Sequence, residues 1–182
     1  DRLGFDLHVK GTDYFTNKGA EWHNPNGKSV PVSKNGYYLH QGHTIFSRSV
    51  ANAPLLDMPW VSYEDDMPIY SRVFEWTNKA PALSFKLPQP AHRLKQPKLT
   101  TQKVSNGHRV VLQDATHQVV FLIRSTSPSK QIKVEQKGAD LWVSFPMAKK
   151  GTMHQLSSWV TSDKSKFSWS PAYKPKRLST LL

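Results

Sequence analysis

His40-Gln41-Gly42-His43 is the one place in this chain where two imidazoles stand close together in sequence, and it follows directly on Tyr37-Tyr38-Leu39. Histidine beside tyrosine suits either hydrogen bonding to a polar ligand or proton abstraction from an acidic sugar. A nearby carboxylate such as Asp57 or Glu64 would turn the same group into an acid–base or metal site. In an unbroken strand the two rings point to opposite faces, because side chains alternate. A bulge at Gly42, or a turn at Gln41-Gly42, brings them to one face. Two histidines without a third fixed ligand predict no metal centre. No cofactor is expected either, since the Gly-rich phosphate loop, the dinucleotide fingerprint, the Gly-x-Ser-x-Gly elbow and His-Glu-x-x-His are all missing.

Aromatic rings are the second chemical resource. Trp22 lies among the turn formers of residues 11–29, where it either contacts a ligand or pins its own loop. Trp60 and Tyr63 join Tyr37 and Tyr38 as candidate stacking groups for a sugar face or a base, while Trp142, in Leu-Trp-Val-Ser-Phe, is expected inside the protein. Two or three of the aromatics outside the core are expected to be exposed.

Charge is the third. Lys and Arg outnumber Asp and Glu by 25 to 13, a net charge of +12 that draws anionic polymers or surfaces. Residues 77–112 hold no acid and seven bases, among them Arg93, Lys95, Lys98 and Lys103. His92 to Lys98 is irregular and able to follow a polyanion. Five acids, Asp57, Glu64, Asp65, Asp66 and Glu75, gather around Arg72 alone, and a glycosidase-type carboxylate pair would come from the last four.

The elements that must position these groups are strands. Val110–Leu112 and Val119–Ile123 are apolar without alternation, which predicts a central hairpin covered on both faces, turning at Asp114-Ala115-Thr116. Asn35-Gly36, Asn106-Gly107 and Lys137-Gly138 predict three further hairpins. Leu3–Lys10, Thr44–Val50, Trp60–Glu64, Ile69–Thr77 and Ala82–Leu87 complete the strands, and the prolines between residues 54 and 97 assign those they touch to sheet edges or strand beginnings. Helix is nearly absent, with 153–160 its best and weak candidate.

These patterns predict an all-β antiparallel sandwich or jelly roll of about ten to twelve short strands over residues 1–168, followed by an extended basic tail over 169–182. An up-and-down barrel is the alternative. The chain has no cysteine, and its longest aliphatic-aromatic run is far too short to cross a membrane as a helix. Its first residue, Asp1, suggests a processed secreted or periplasmic form, or a piece of a larger chain or assembly.

The function expected first is a non-catalytic, extracytoplasmic module that recognises a glycan or another anionic polymer through Trp22, Tyr37, Tyr38, His40, His43, Trp60, Tyr63, Arg93, Lys95, Lys98 and Lys103. A polysaccharide lyase or hydrolase using His40 and His43 is the second. A capsid-like or other assembly subunit, whose basic tail binds nucleic acid or a neighbouring chain, is the third.

Overall fold

In a computed structural model, described for residues 19–182, for Phe15–Thr16, and for the backbone of His8–Val9 and Thr12–Asp13, the chain is an all-β sandwich. In chain order the strands are β1 (His8–Val9), β2 (Thr12–Asp13), β3 (Phe15–Thr16), β4 (Trp22–His23), β5 (Val32–His40), β6 (His43–Val50), β7 (Ala53–Glu64) and β8 (Met67–Trp76). They continue as β9 (Leu83–Lys86), β10 (Gln89–Pro90), β11 (Lys98–Val104), β12 (Gly107–Gln113), β13 (Gln118–Ser125), β14 (Lys133–Lys137), β15 (Asp140–Phe145) and β16 (Met153–Thr161). Among the described residues no α-helix forms, and none is available to cross a membrane. The expected strand Leu3–Lys10 lies outside the described residues except for β1.

Eight strands form one antiparallel sheet in the order β11-β12-β13-β16-β8-β7-β6-β5, and four form the smaller facing sheet, β14-β15-β9-β4. The central hairpin is β12–β13, and every residue of β13 is buried. Val119, Phe121 and Ile123 enter the core between the sheets, whereas Val120 and Leu122 pack on the outer face of the large sheet with Ile69, Val111 and Trp159. The unbroken apolar run is thus explained by cover on both faces. Asp114 holds its turn, its carboxylate accepting from the N–H groups of Thr116 (2.8 Å), His117 (2.7 Å) and Lys95 (3.0 Å).

What covers the outer face is the tail. Lys166 pairs with Asp65, Trp169 packs edge-on against Trp159, and Leu178 is buried with Ile45, Leu56 and Val73. Glu75, fully buried on β8, accepts from Ser179 N (2.9 Å) and Oγ (2.7 Å) and pairs with Arg177 at 3.3 Å. The acids that cluster in sequence are therefore largely partners of basic side chains. The segment 169–182 is extended up to a short 3-10 turn at Leu178–Thr180, and it is bound at intervals, through Trp169, Pro171, Tyr173 and 177–179, with 174–176 exposed between them.

Three expectations change. Asn35-Gly36 is not a hairpin turn: it lies in β5, where the register with β6 shifts between Lys34 and Gly36, and Asn35 Nδ2 donates to Ser49 Oγ at 3.0 Å. The turn is Gln41-Gly42, both at positive φ, closed by the pair His40 and His43. Residues 153–160 form β16, a central strand, because neighbours on both sides supply ladder partners that a short Ser-rich helix would lack. Pro54, Pro59 and Pro68 lie inside β7 and β8, interior strands. The two-residue turn at Asp65-Asp66 closes on Glu64–Met67, so counting along the ladder leaves Pro68 and Pro59 at pairs that exchange no hydrogen bond between β7 and β8.

Candidate functional site

On the large sheet a gap opens between β6 and β7. Their hairpin closes at Val50–Ala53 through Ala51-Asn52, both at positive φ. In such a hairpin the closing pair exchanges hydrogen bonds, and so does every second pair after it: Arg48–Leu55, then Phe46–Asp57. The next would be Thr44 with Pro59. Proline has no N–H to give, and the ladder stops at Phe46–Asp57. Beyond that pair the β5–β6 tip parts from β7, which stays with β8 to Glu64.

The result is a cleft of about 370 Å³. Gly42, His43, Thr44 and Phe46 line one wall, and Pro59, Trp60 and Val61 the other. By the same alternation the N–H and C=O of Thr44 face the gap with no strand opposite.

The bulge in β5 sets the rim. Counting from Val32, opposite the core residue Val50, an unbroken strand would send Tyr38 and His40 to the inner face; the extra residue puts Tyr37 there instead, opposite Phe46, and Leu39 opposite Thr44. Tyr37 is 65% and Leu39 76% exposed, so among the described residues no second sheet covers this end. Tyr38 and His40 fall on the outer face, with His43. The turn at Gln41-Gly42 thus brings both imidazoles to one side, as that alternative required.

Among the described residues no carboxylate is bonded to either imidazole. Asp57, beside the cleft on the inner face, is almost fully buried, and both its oxygens are engaged: Arg72 Nε donates to Oδ1 at 2.9 Å and Arg72 Nη2 to Oδ2 at 2.8 Å, while Arg48 Nε stands 3.0 Å from Oδ2. The Arg48 contact is an ion pair whose angle does not make a hydrogen bond. Arg72 also reaches Glu21 at 2.5 Å and lies over the rings of Phe74 and Phe85, joining the two sheets. Burial by itself lowers the Arg72 pKa, but the charges of Asp57 and Glu21 outweigh it and raise the pKa above its usual value. Glu64 pairs instead with Lys166 at 3.7 Å. Glu64 and Glu75 stand opposite Met67 and Leu56 on the β7–β8 ladder. Those positions are eight residues, or about 27 Å, apart, beyond any glycosidase carboxylate spacing. Among the described residues no three His, Asp or Glu side chains are grouped to hold a metal.

The other expected site residues divide. Trp60 lines the cleft, and Tyr63, 56% exposed, lies further along β7. Trp22 is a correction: it is 3% exposed, with ring centroids 5.1 Å from Phe74, 5.7 Å from Trp76 and 4.9 Å from Phe85, all edge-on. Loop composition located the residue but not its direction, which is set by the core it pins. Trp142 is buried, as expected, against His23 and beneath Lys86 and Lys137.

Arg93, Lys95, Lys98 and Lys103 are all exposed, at the opposite edge of the sheet, on β11 and the loop before it. That loop is fixed to the β12–β13 turn by Lys95 N–H on Asp114 and by His92 stacked on His117, centroids 3.9 Å apart. The N–H donors of Lys95, His117 and Thr116 hold the Asp114 carboxyl well below the usual carboxylate range. Seven strand spacings separate β11 from β5, on the order of 34 Å, so the basic and aromatic groups do not lie together.

No protein-family description and no curated protein matches the chain. Among solved structures, one described as "Putative kojibiose phosphorylase from human microbiome" aligns at 9% identity with a TM-score of 0.27, covering 74% of this chain and 22% of that one. So distant a likeness carries no argument about function.

The cleft residues Thr44, Phe46, Pro59 and Val61 were missed in the sequence. The signal was Pro59, but it acquires meaning only once the Ala51-Asn52 turn fixes which pairs need a donor.

Proposed function

We propose that the protein is a β-sandwich module that binds glycans, taking a short saccharide segment into the β6–β7 cleft. The observation that carries this reading is the cleft itself. It offers rings for the apolar faces of a sugar, the His43 imidazole and Thr44 backbone groups for its hydroxyls, and a volume in the range of small-molecule sites. Tyr37 adds a ring at the rim. The β11 edge, with Lys98 and Lys103, adds an electrostatic attraction for acidic polymers long enough to reach it. A setting outside the cytoplasm, where such polymers are met, belongs to the same proposal.

Calorimetric titration with neutral and acidic oligosaccharides tests it. Tyr37→Ala and His43→Ala should each weaken binding about tenfold at any salt concentration, by analogy with the 1–3 kcal/mol of ring stacking on bases. Lys98→Glu with Lys103→Glu should flatten the salt dependence for acidic ligands alone, because exposed charges are screened over a Debye length of about 10 Å at 0.1 M. No binding across the panel, or affinity unchanged in the cleft variants, would remove this reading.

A further inference from the structure

Two arginines are buried beneath the tail without an opposing charge. Arg109 on β12 is 7% exposed and Arg124 on β13 is 9% exposed. Arg109 is opposite Leu122, so Arg124 is its diagonal neighbour on the same outer face, with Cα atoms about 7–8 Å apart. Each is met by a carbonyl of the tail: Arg109 Nη2 donates to Phe167 O at 2.6 Å, and Arg124 Nη1 to Pro171 O at 2.9 Å. The Tyr173 ring lies 5.4 Å from the Arg124 guanidinium.

Three other arginines have carboxylate partners, Arg48 and Arg72 largely buried and Arg177 half-exposed. Arg48 and Arg72 face Asp57, and Arg177 faces Glu75. Among the described residues no carboxylate stands within ion-pair distance of Arg109 or Arg124. The tail brings one acid, Asp163, and it accepts from Ser165 N and Oγ. Nε of both arginines is buried without a partner, as are Trp159 Nε1 and Gln118 Oε1 on the same face. Four of the unpartnered buried atoms thus lie on the outer face of β12, β13 and β16, and three of them are N–H donors, all from residues that touch the tail. Burial lowers the pKa of both guanidiniums, the direction expected of cations removed from water with no counter-charge.

Carbonyl oxygens return only part of what a guanidinium loses on leaving water, and a guanidinium fork is shaped for two oxygens of one anion. We propose that Arg109 and Arg124, together with the Trp159 indole N–H, form a binding site for a small oxyanion, a sulfate, phosphate or carboxylate, held between the large sheet and the tail. The anion is either a free inorganic ion or a group carried by an acidic saccharide. Free ions need only seep under the tail, whereas a saccharide must lift the stretch between Phe167 and Pro171. This site is separate from the β6–β7 cleft and does not depend on it.

The test uses the 182-residue chain with sodium phosphate, sodium sulfate and a sulfated disaccharide, each against sodium chloride at matched ionic strength. Thermal denaturation should show a saturable rise in Tm with phosphate or sulfate beyond that with chloride. Arg109→Gln and Arg124→Gln should each weaken the effect at least tenfold, and Lys150→Gln, at an exposed lysine away from both groups, should leave it unchanged. The Trp159 indole N–H resonance, assigned through Trp159→Phe, should move over the same concentration range. A shift with the disaccharide as well as the free ions identifies a saccharide-borne group as a second source. If the arginine variants do not fold, the indole resonance of the unaltered protein decides. An unmoved resonance with all three anions, or an anion effect equal to that of chloride, overturns the site, as does a full response in a folded Arg109→Gln, Arg124→Gln double variant.

Discussion

Replacing Pro59 by alanine tests the cause assigned to the cleft. The substitution restores the N–H that Thr44 O lacks, so the β6–β7 ladder can pass Phe46–Asp57 and close over the gap. Each ladder bond gained contributes about 0.5–1.5 kcal/mol net. Loss of the proline frees the unfolded chain and costs about 0.4–1 kcal/mol. The restored pair exchanges two such bonds, about 1–3 kcal/mol, so the net gain runs from nearly nothing to about 2.5 kcal/mol and local measurements decide better than the melting temperature. Hydrogen exchange at the residue 44 and 59 amides should show protection, slowing Thr44 roughly two- to tenfold for a bond of that strength. Glycan affinity should fall at least tenfold, because the space the ligand enters is gone. If Thr44 exchanges as before and the affinity is unchanged, the missing N–H is not what holds the strands apart.

Two other substitutions probe the core. Trp22→Ala should cost about 3–5 kcal/mol in urea denaturation while the folded fraction binds glycan normally. A loss below about 1 kcal/mol accompanied by lost binding would return Trp22 to the ligand site. His154 is fully buried, stacked on Phe145 and hydrogen-bonded to Ser125 Oγ at 2.8 Å, and burial pushes its pKa down from 6.5 to about 3. Its folded pKa lies below the unfolded one, so between those values the unfolded chain takes up a proton that the native state refuses. Stability is therefore lost as pH falls from 6.5 towards 3, by up to about 1.4 kcal/mol per pH unit, or roughly 2.7 kcal/mol by pH 4.5. His154→Gln should show a correspondingly shallower acid loss, and identical pH profiles for the two proteins would refute the assignment.

Where the sequence was legible, one local pattern had one structural meaning. The apolar runs of 110–112 and 119–123 required cover on both faces, and β12 and β13 have it from the small sheet on one side and the tail on the other. Hairpins form at Asn106-Gly107 and Lys137-Gly138, though their two-residue turns are Ser105-Asn106 and Gly138-Ala139, with Gly107 and Lys137 in the closing pairs. Asn106 takes φ 63° within the first turn, and a Cβ on Gly107 would lie 1.8 Å from Ile123 O, so only glycine fits there. Asn35-Gly36 carried the same signal with another outcome, because pairing across the sheet chose Gln41-Gly42 as the turn and left a bulge behind. The site was harder to read. Two or three exposed aromatics were expected, and Tyr37, Tyr38 and Tyr63 are exposed, but that His43 and Lys103 lie towards opposite edges of one sheet is a fact of strand order. No residue type reports that order, so the split between aromatic and basic groups was invisible until β5 and β11 were placed.

The cover that the tail gives the large sheet also sets a timetable for synthesis. Val120, Leu122 and Trp159, and likewise Ile45, Leu56 and Val73, are made before Trp169 and Leu178, which shield the two groups, and the interval from the end of β16 at Thr161 to Leu178 is 17 residues. At ordinary translation rates that is about 1 to 3 s, during which an assembled sheet would still present a bare apolar face. Such a face in a crowded cell attracts holding chaperones or other nascent chains. The chain is thus most exposed to aggregation between the emergence of Thr161 and that of Leu178 from the ribosome, and any pause that holds this stretch back would prolong the exposure.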